Sequence, residues 1–309
     1  MPSILITGGT GLIGKELTKR LVAKGYEVII LTREIKEKTP AQPGVSYALW
    51  DVKAQTIDAN AVAKADHIIH LAGAGIADER WTDKRKEEIK SSRVESSKLL
   101  VTALKDHPNR VKTVVSSSAI GWYGDDKLLK SKRAFTEDMP ADTGFLGETC
   151  KLWEESIEPV AALGKRLVKI RTGIVLSNDG GAFKSFKLPV KFGIAGILGN
   201  GKQVISWAHI TDICEMYIHA IENTSLSGAY NGVAPHPVSN KTLTIELAKI
   251  LKGKFYIPIH VPAFLLNIML GELSVEVLKS TTVSSQKIEL SGFAFNYPDL
   301  SSALKNLCA

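Results

Sequence analysis

The chain has 309 residues, 44% hydrophobic and 23% charged, which suits one large domain or two modest ones. Lys and Arg total 39 against 32 Asp and Glu, but groups such as Lys84–Lys86 and Lys127–Arg133 are scattered, with no aromatic-lined basic stripe, so a nucleic-acid partner is not expected. Cys150, Cys214 and Cys308 are odd in number and far apart, which points to reduced thiols and no metal site, and the apolar run Val261–Leu270 is too short to span a bilayer, so a soluble cytoplasmic protein with no membrane partner is expected.

In chain order, Ile4–Ile6 is an apolar run of strand length. Thr7, Gly8, Gly9, Thr10, Gly11, Leu12, Ile13 and Gly14 follow, then an amphipathic stretch to Lys24, a stop at Gly25 and a second apolar run at Val28–Leu31. Strand, glycine turn, helix and strand within one unit of ~30 residues is the context that makes a glycine fingerprint meaningful. Gly8 serves a tight turn, Gly11 the close approach of a pyrophosphate, and Gly14 close packing of helix on strand. Free N–H groups at Leu12 and Ile13 then face phosphate oxygens. The second strand ends in Thr32–Arg33, with no carboxylate before Glu34. A guanidinium suits a 2′-phosphate where an acid would suit a ribose hydroxyl, so NADP(H) is expected over NAD(H).

A polar loop, Glu34–Gly44, leads to a third strand at Val45–Leu49. Ala59–Ala63 has helical character, and His67–Leu71 is a fourth strand ending in the small residues Ala72–Gly75. Lys84–Lys105 reads as a long helix, Val111–Val115 as a fifth strand before Ser116–Ser118, Gly144–Leu163 as a helix and Leu167–Arg171 as a sixth strand. The alternation implies an α/β, Rossmann-type, doubly wound parallel sheet with ligands at the carboxyl ends of its strands. Glycines then mark a loop-rich excursion, residues 177–207, on the substrate side. Ile210–Ile221 and Thr242–Leu251 read as helices and Tyr230–Val233 as a short strand. The expected division is a nucleotide-binding domain over residues 1–240 and a smaller C-terminal cap over 241–309.

The segments TGGTGLIG (Thr7–Gly14), HLAGAG (His70–Gly75) and SSSAIGWYG (Ser116–Gly124) resemble the extended short-chain dehydrogenase/reductase superfamily. RTGIVL (Arg171–Leu176), ISWAHITD (Ile205–Asp212) and YNGVAPHPVSN (Tyr230–Asn240), with the tail from about Pro258 to Leu307, look more narrowly like its epimerase-like NADP-binding group, sometimes described as cell-division inhibitors. The resemblance implies a cofactor site formed by Gly8, Gly11, Leu12, Ile13 and Gly14, by Thr32 and Arg33, by Leu71 and Ala72, by Glu88 and Arg93, and by Val175. Taken alone, Glu88 and Arg93 could equally be an ordinary helix-face pair.

One departure matters. The superfamily moves a hydroxyl proton with a tyrosine four residues before a lysine, aided by a serine. Here Ser118 matches the serine and Lys151 the lysine, but Gly147 occupies the tyrosine position. Tyr123 is the best chemical substitute, against the alternative of an aromatic packed in the substrate loop. Cys150 reads as a buried thiol, and Glu154 with Trp153 as an anchor for the helix. His209 and Asp212 read as a structural turn, and His67 and His70 as packed or hydrogen-bonded. Two functions stay open. One is an epimerase-like or reductase-like enzyme acting on a small carbonyl or sugar-nucleotide-like substrate through Ser118, Tyr123 and Lys151. The other is a catalytically degenerate NADP(H)-binding regulator or scaffold. A homodimer is left open.

Overall fold

The strand-forming runs of this chain are apolar at successive positions, so they can be buried only in a sheet covered on both faces. A computed structural model of the chain, describing residues 1–35, 42–129 and 134–309, contains such a sheet. The middle of the polar loop (36–41) and the end of the basic group at 127–133 lie outside the described residues. The first half of the chain forms β1 (Ser3–Thr7), α1 (Leu12–Ala23), β2 (Glu27–Thr32), β3 (Val45–Asp51), β4 (Thr56–Ile57), α2 (Ala59–Lys64), β5 (His67–His70), α3 (Asp83–Asp106) and β6 (Thr113–Ala119). Next come α4 (Phe145–Ile157), α5 (Pro159–Ala162), β7 (Arg166–Thr172), β8 (Ile174–Leu176), α6 (Ala182–Lys191), β9 (Ile194–Leu198), β10 (Val204–Ile205), β11 (Trp207–His209) and α7 (Ile210–Glu222). The chain ends with β12 (Gly228–Gly232), β13 (Val238–Ser239), α8 (Asn240–Lys252), β14 (Ile257–Val261), α9 (Ala263–Leu270), α10 (Leu273–Leu278), α11 (Gln286–Leu290) and α12 (Leu300–Cys308).

The strand order is β12-β7-β6-β5-β1-β2-β3-β4, parallel throughout except for β4, which runs antiparallel to β3. Alternation along each strand sends Ile4, Ile6, Ile30, Ile69 and Val115 to one face, against α1 and α7. Leu5, Ile29, Ile68 and Val114 go to the other, against α2 and α3. This is the doubly wound Rossmann-type sheet. Its direction of winding reverses between β1 and β5, opening a crevice at their carboxyl ends.

Three local differences from the sequence reading have physical causes. The helix expected over Gly144–Leu163 is broken at Glu158, because Pro159 has no N–H and starts α5 instead. The fifth strand runs on through the serines to Ala119, since β7 continues beside it. The glycine-rich excursion also holds regular structure: α6 and β9 lie within it, and β9 pairs in parallel with β14 of the tail, some 60 residues away. Phe183, Val190 and Ala195 of the excursion share one core with Leu243, Leu247 and Leu304. Excursion and tail thus form a single layer beside the sheet. Among the described residues no helix is long and apolar enough to cross a membrane.

One buried hydrogen-bond chain fixes the crevice. The Thr7 hydroxyl accepts from the Leu71 N–H at 3.1 Å and the Ala72 N–H at 3.2 Å, and lies 2.7 Å from His70 Nδ1. With two donors already pointing at its oxygen, the hydroxyl gives its own hydrogen to Nδ1. The imidazole hydrogen is then on Nε2, which faces Ser97 Oγ at 3.1 Å, and Ser97 donates to the Arg93 carbonyl at 2.8 Å. Complete burial pushes His70 down to about 3. A neutral imidazole in the folded state and an ordinary one in the unfolded state fix the sign: stability is full above pH ~6.5 and is lost progressively as pH falls towards 3. At pH 5, His70 alone is expected to remove roughly 2 kcal/mol, read as a fall in urea midpoint between pH 7.5 and pH 5. His70→Gln should flatten that slope; an unchanged slope would show that the imidazole is not held neutral.

Candidate functional site

The nucleotide half of the crevice starts at the glycine turn. Gly8 has φ +68°, and a Cβ there would lie 2.8 Å from the Leu71 carbonyl carbon, so β1 and the segment after β5 can approach only with glycine in place. A Cβ on Gly14 would collide with the Gly8 carbonyl. Gly11 begins α1 in extended conformation with no side-chain cap, and its N–H turns back to the Gly8 carbonyl at 3.0 Å. The following N–H groups of Leu12 and Ile13 thus start the helix uncapped by any side chain, which leaves them open to an anion. The Leu12 side chain also meets the excursion, since Cβ atoms on Gly180 and Gly181 would sit 3.4 and 3.3 Å from its methyl groups. Val175, on β8, offers its carbonyl to the same Gly181 corner.

At the end of β2, Thr32 donates its hydroxyl to the Glu34 carbonyl at 3.0 Å. Arg33 is exposed and makes no ion pair among the described residues. Across the crevice, the segment after β5 is held by α3. Ser92 Oγ accepts from the Ala74 N–H at 3.0 Å, and Arg85 donates to the Gly75 carbonyl at 2.7 Å. Glu88 is not paired with Arg93. It accepts from Arg85 at 2.8 Å and so steadies the group that holds Gly75. Arg93 packs under Gly73, donates to the Ile89 carbonyl at 2.8 Å and lies 5.0 Å from the Trp153 ring. Burial pulls its pKa down, with the Cys150 thiol opposing, and no carboxylate among the described residues neutralises it.

The reacting half is organised differently from the sequence expectation. Ser118 at the end of β6 donates to Glu154 Oε1 at 2.7 Å. Both Glu154 oxygens accept from Arg171, Nε at 2.8 Å and Nη2 at 3.1 Å. Arg171 Nη1 reaches the Tyr123 hydroxyl at 3.0 Å, and Tyr123 donates to Asn231 Oδ1 at 2.7 Å. The guanidinium lies 3.6 Å from the Trp122 ring centre, a cation–π contact. Ser118, Glu154, Arg171, Tyr123 and Asn231 are therefore one buried network that joins β6, α4, β7, the segment after β6 and β12. Tyr123 is fully buried and stacked on Phe135. Burial pushes it up to about 12 in spite of Arg171, so it holds hydrogen bonds and does not ionise near neutral pH.

Lys151 is not in this network. Its side chain is 59% exposed and lies 3.9 Å from Glu155 on the outer face of α4. The physical reason is register: consecutive helix residues are about 100° apart, and it is Cys150 that turns inward. A Cβ on Gly121 would meet Leu146 Cβ at 3.2 Å and Cys150 Sγ at 3.5 Å. The inward pair four residues apart is therefore Leu146 and Cys150, one step before Gly147 and Lys151. Gly147 abuts the Asp142 backbone instead. Neither register supplies a phenol. Burial pushes the Cys150 thiol up to about 12, opposed by Arg93, so it supplies no thiolate. His209 caps α7 by accepting from the Thr211 N–H at 3.1 Å, and Asp212 accepts from the Asn296 and Tyr297 N–H groups. Both act as structural fasteners.

Arg171, Asn231 and Leu146 escaped the sequence reading as site residues. Arg171, following Ile170 near the carboxyl end of β7, was the available signal, since a charge buried there needs a partner.

Comparisons with known proteins agree with this fold. Residues 4–144 match the model of the NAD dependent epimerase/dehydratase family, and residues 261–307 match a domain of unknown function, DUF1731. The chain is 35% identical over 308 residues to epimerase family protein YfhF of Bacillus subtilis, covering 99% of this chain and 98% of that one. A crystal structure of human epimerase family protein SDR39U1 with NADPH superposes with TM-score 0.86 at 28% identity, over 99% of each chain. A nucleoside-diphosphate sugar epimerase from Corynebacterium glutamicum gives TM-score 0.77 at 30% identity, over all of this chain and 58% of that one.

Removing one partner of a buried ion pair strands the other charge. Glu154→Ala is expected to cost about 3–5 kcal/mol in urea unfolding, and Glu154→Leu combined with Arg171→Met should restore much of it. A single variant within 1 kcal/mol of the parent, on the order of a surface pair, would contradict the buried network.

Proposed function

Because the chain belongs to the NAD-dependent epimerase/dehydratase family, we propose that it binds NADP(H) and acts as an epimerase-like or reductase-like enzyme on a small carbonyl or sugar-nucleotide-like substrate. The observation that carries the cofactor reading is the nucleotide cradle: a glycine turn where a Cβ on Gly8 would strike the Leu71 carbonyl, with two guanidinium groups, Arg33 and Arg93, that form no ion pair among the described residues. Leu12 and Ile13 N–H groups hold the diphosphate, Arg33 with Thr32 takes the 2′-phosphate, and Leu71 and Ala72 form the wall held by Thr7. Bound NADP(H) supplies or accepts a hydride at its nicotinamide ring.

Ser118, buried near the end of β6, is the residue of this chain that this reading assigns to a substrate oxygen. Its hydroxyl hydrogen is committed to Glu154, which leaves its oxygen lone pairs to receive a hydrogen from a substrate hydroxyl. Tyr123 and Arg171 fix Glu154 and do not touch the reacting atoms. A second reading is favoured by one observation, the inward Leu146 and Cys150: with neither tyrosine nor lysine on that face, the protein would bind NADP(H) as a regulator or scaffold. The three free cysteines accord with a cytoplasmic location.

Arg33→Ala is expected to weaken NADPH binding on the order of tenfold or more in a fluorescence titration while leaving NADH nearly unchanged. Equal NADPH affinity in both proteins would remove the 2′-phosphate assignment. With NADPH dideuterated at the nicotinamide C4 and a metabolite extract, deuterium should pass to a small molecule, survive Lys151→Ala and fall on the order of a hundredfold with Ser118→Ala. Tight binding without transfer would select the regulator.

A further inference from the structure

Charge is unevenly spread along this chain. Residues 180–211 and 247–271 contain Lys184, Lys187, Lys191, Lys202, Lys249, Lys252 and Lys254, and no Asp, Glu or Arg. These seven lysines equal the net charge of +7, so the rest of the chain is neutral. The two acid-free segments meet in space. β9 and β14 pair in parallel, Ile194 against Ile257 and Gly196 against Ile259, and the Ile257 N–H bonds the Gly193 carbonyl at 2.8 Å. α6 and α8 both end where this ribbon begins, at Lys191–Phe192 and Lys252–Phe255.

The ribbon has an inner and an outer face. Ala195 and Ile197 are buried on the inner one, so alternation puts Ile194, Ile257 and Ile259 on the other, where they are 40%, 66% and 45% exposed. At its leading end Phe192 is 78% and Phe255 86% exposed. One turn back on α6, Leu188 is exposed among Lys184, Lys187 and Lys191, which together border a cavity of about 450 Å³. Among the described residues β14 has no strand beyond it.

We propose that this ribbon end docks on an anionic lipid bilayer. Phe192, Phe255 and Ile257 would enter the boundary between headgroups and acyl chains, with the lysines of α6 and α8 at headgroup level. Charge selects this occupant over a second copy of the chain, because two such surfaces would bring together lysines from segments that carry no acid of their own. Surface docking needs no spanning stretch, so it revises the expectation of no membrane partner, which rested on the lack of one.

The test is flotation of the full-length protein with vesicles of phosphatidylcholine, and of phosphatidylcholine mixed with phosphatidylglycerol. Binding is expected with the anionic vesicles only and should weaken as salt rises. A triple variant, Lys184→Glu, Lys191→Glu and Lys254→Glu, should lose on the order of a hundredfold in partitioning, and Phe192→Ser with Phe255→Ser about tenfold, both with parental melting curves. No flotation with anionic vesicles, or either variant floating like the parent, would overturn the proposal. So would a concentration-dependent dimer abolished by the phenylalanine variant, which would assign the surface to self-association, or capture of an acidic protein without vesicle binding.

Discussion

A buried ion pair under the carboxyl edge of the sheet organises the β6–α4–β7 half of the crevice. Arg171 closes β7, and its guanidinium grips both oxygens of Glu154 on α4, with Ser118 and Tyr123 bonded at either end. Two charges out of water are tolerable only when every remaining donor and acceptor is satisfied. That requirement dictates the rotation of α4, and the rotation decides which of its side chains face the crevice. Leu146 and Cys150 face in, and Lys151 faces water. The outward Lys151 and the buried pair thus follow from one helix rotation.

The nucleotide half obeys a different constraint, steric rather than electrostatic. Its glycines permit backbone to lie against backbone, and its polar side chains Thr7, Ser92 and Arg85 hold backbone segments in place. Arg33 and Arg93 carry charge there and form no ion pair among the described residues. The protein therefore pairs a neutralised reacting end with a cationic nucleotide end, and a phosphate-rich ligand would complete the second without disturbing the first.

Sequence made the nucleotide half legible because its signals are local. Strand, glycine turn and helix follow each other within Ile4–Lys24, and Thr32–Arg33 marks the next strand end. The C-terminal layer was illegible for the opposite reason. β9 and β14 are five residues each, one carries Gly196 and the other Pro258, and they are strands only because each is the other's partner. α6 contains Pro189 and follows two glycines, which locally argue against a helix. On α4 the difficulty was rotational. A four-residue spacing fits both Gly147 with Lys151 and Leu146 with Cys150, and only Arg171, reaching from another strand, separates them.

The Thr7–His70–Ser97 chain has a kinetic meaning. It fastens Leu71 and Ala72 to β1, while Ser92 and Arg85 fasten the next residues to α3, all from side chains of the protein itself. A wall held in this way is already in its receiving shape before a nucleotide arrives. Ordering entropy is then not deducted from affinity at encounter, and association is governed by diffusion and by the field of the two arginines rather than by a wait for a loop to close.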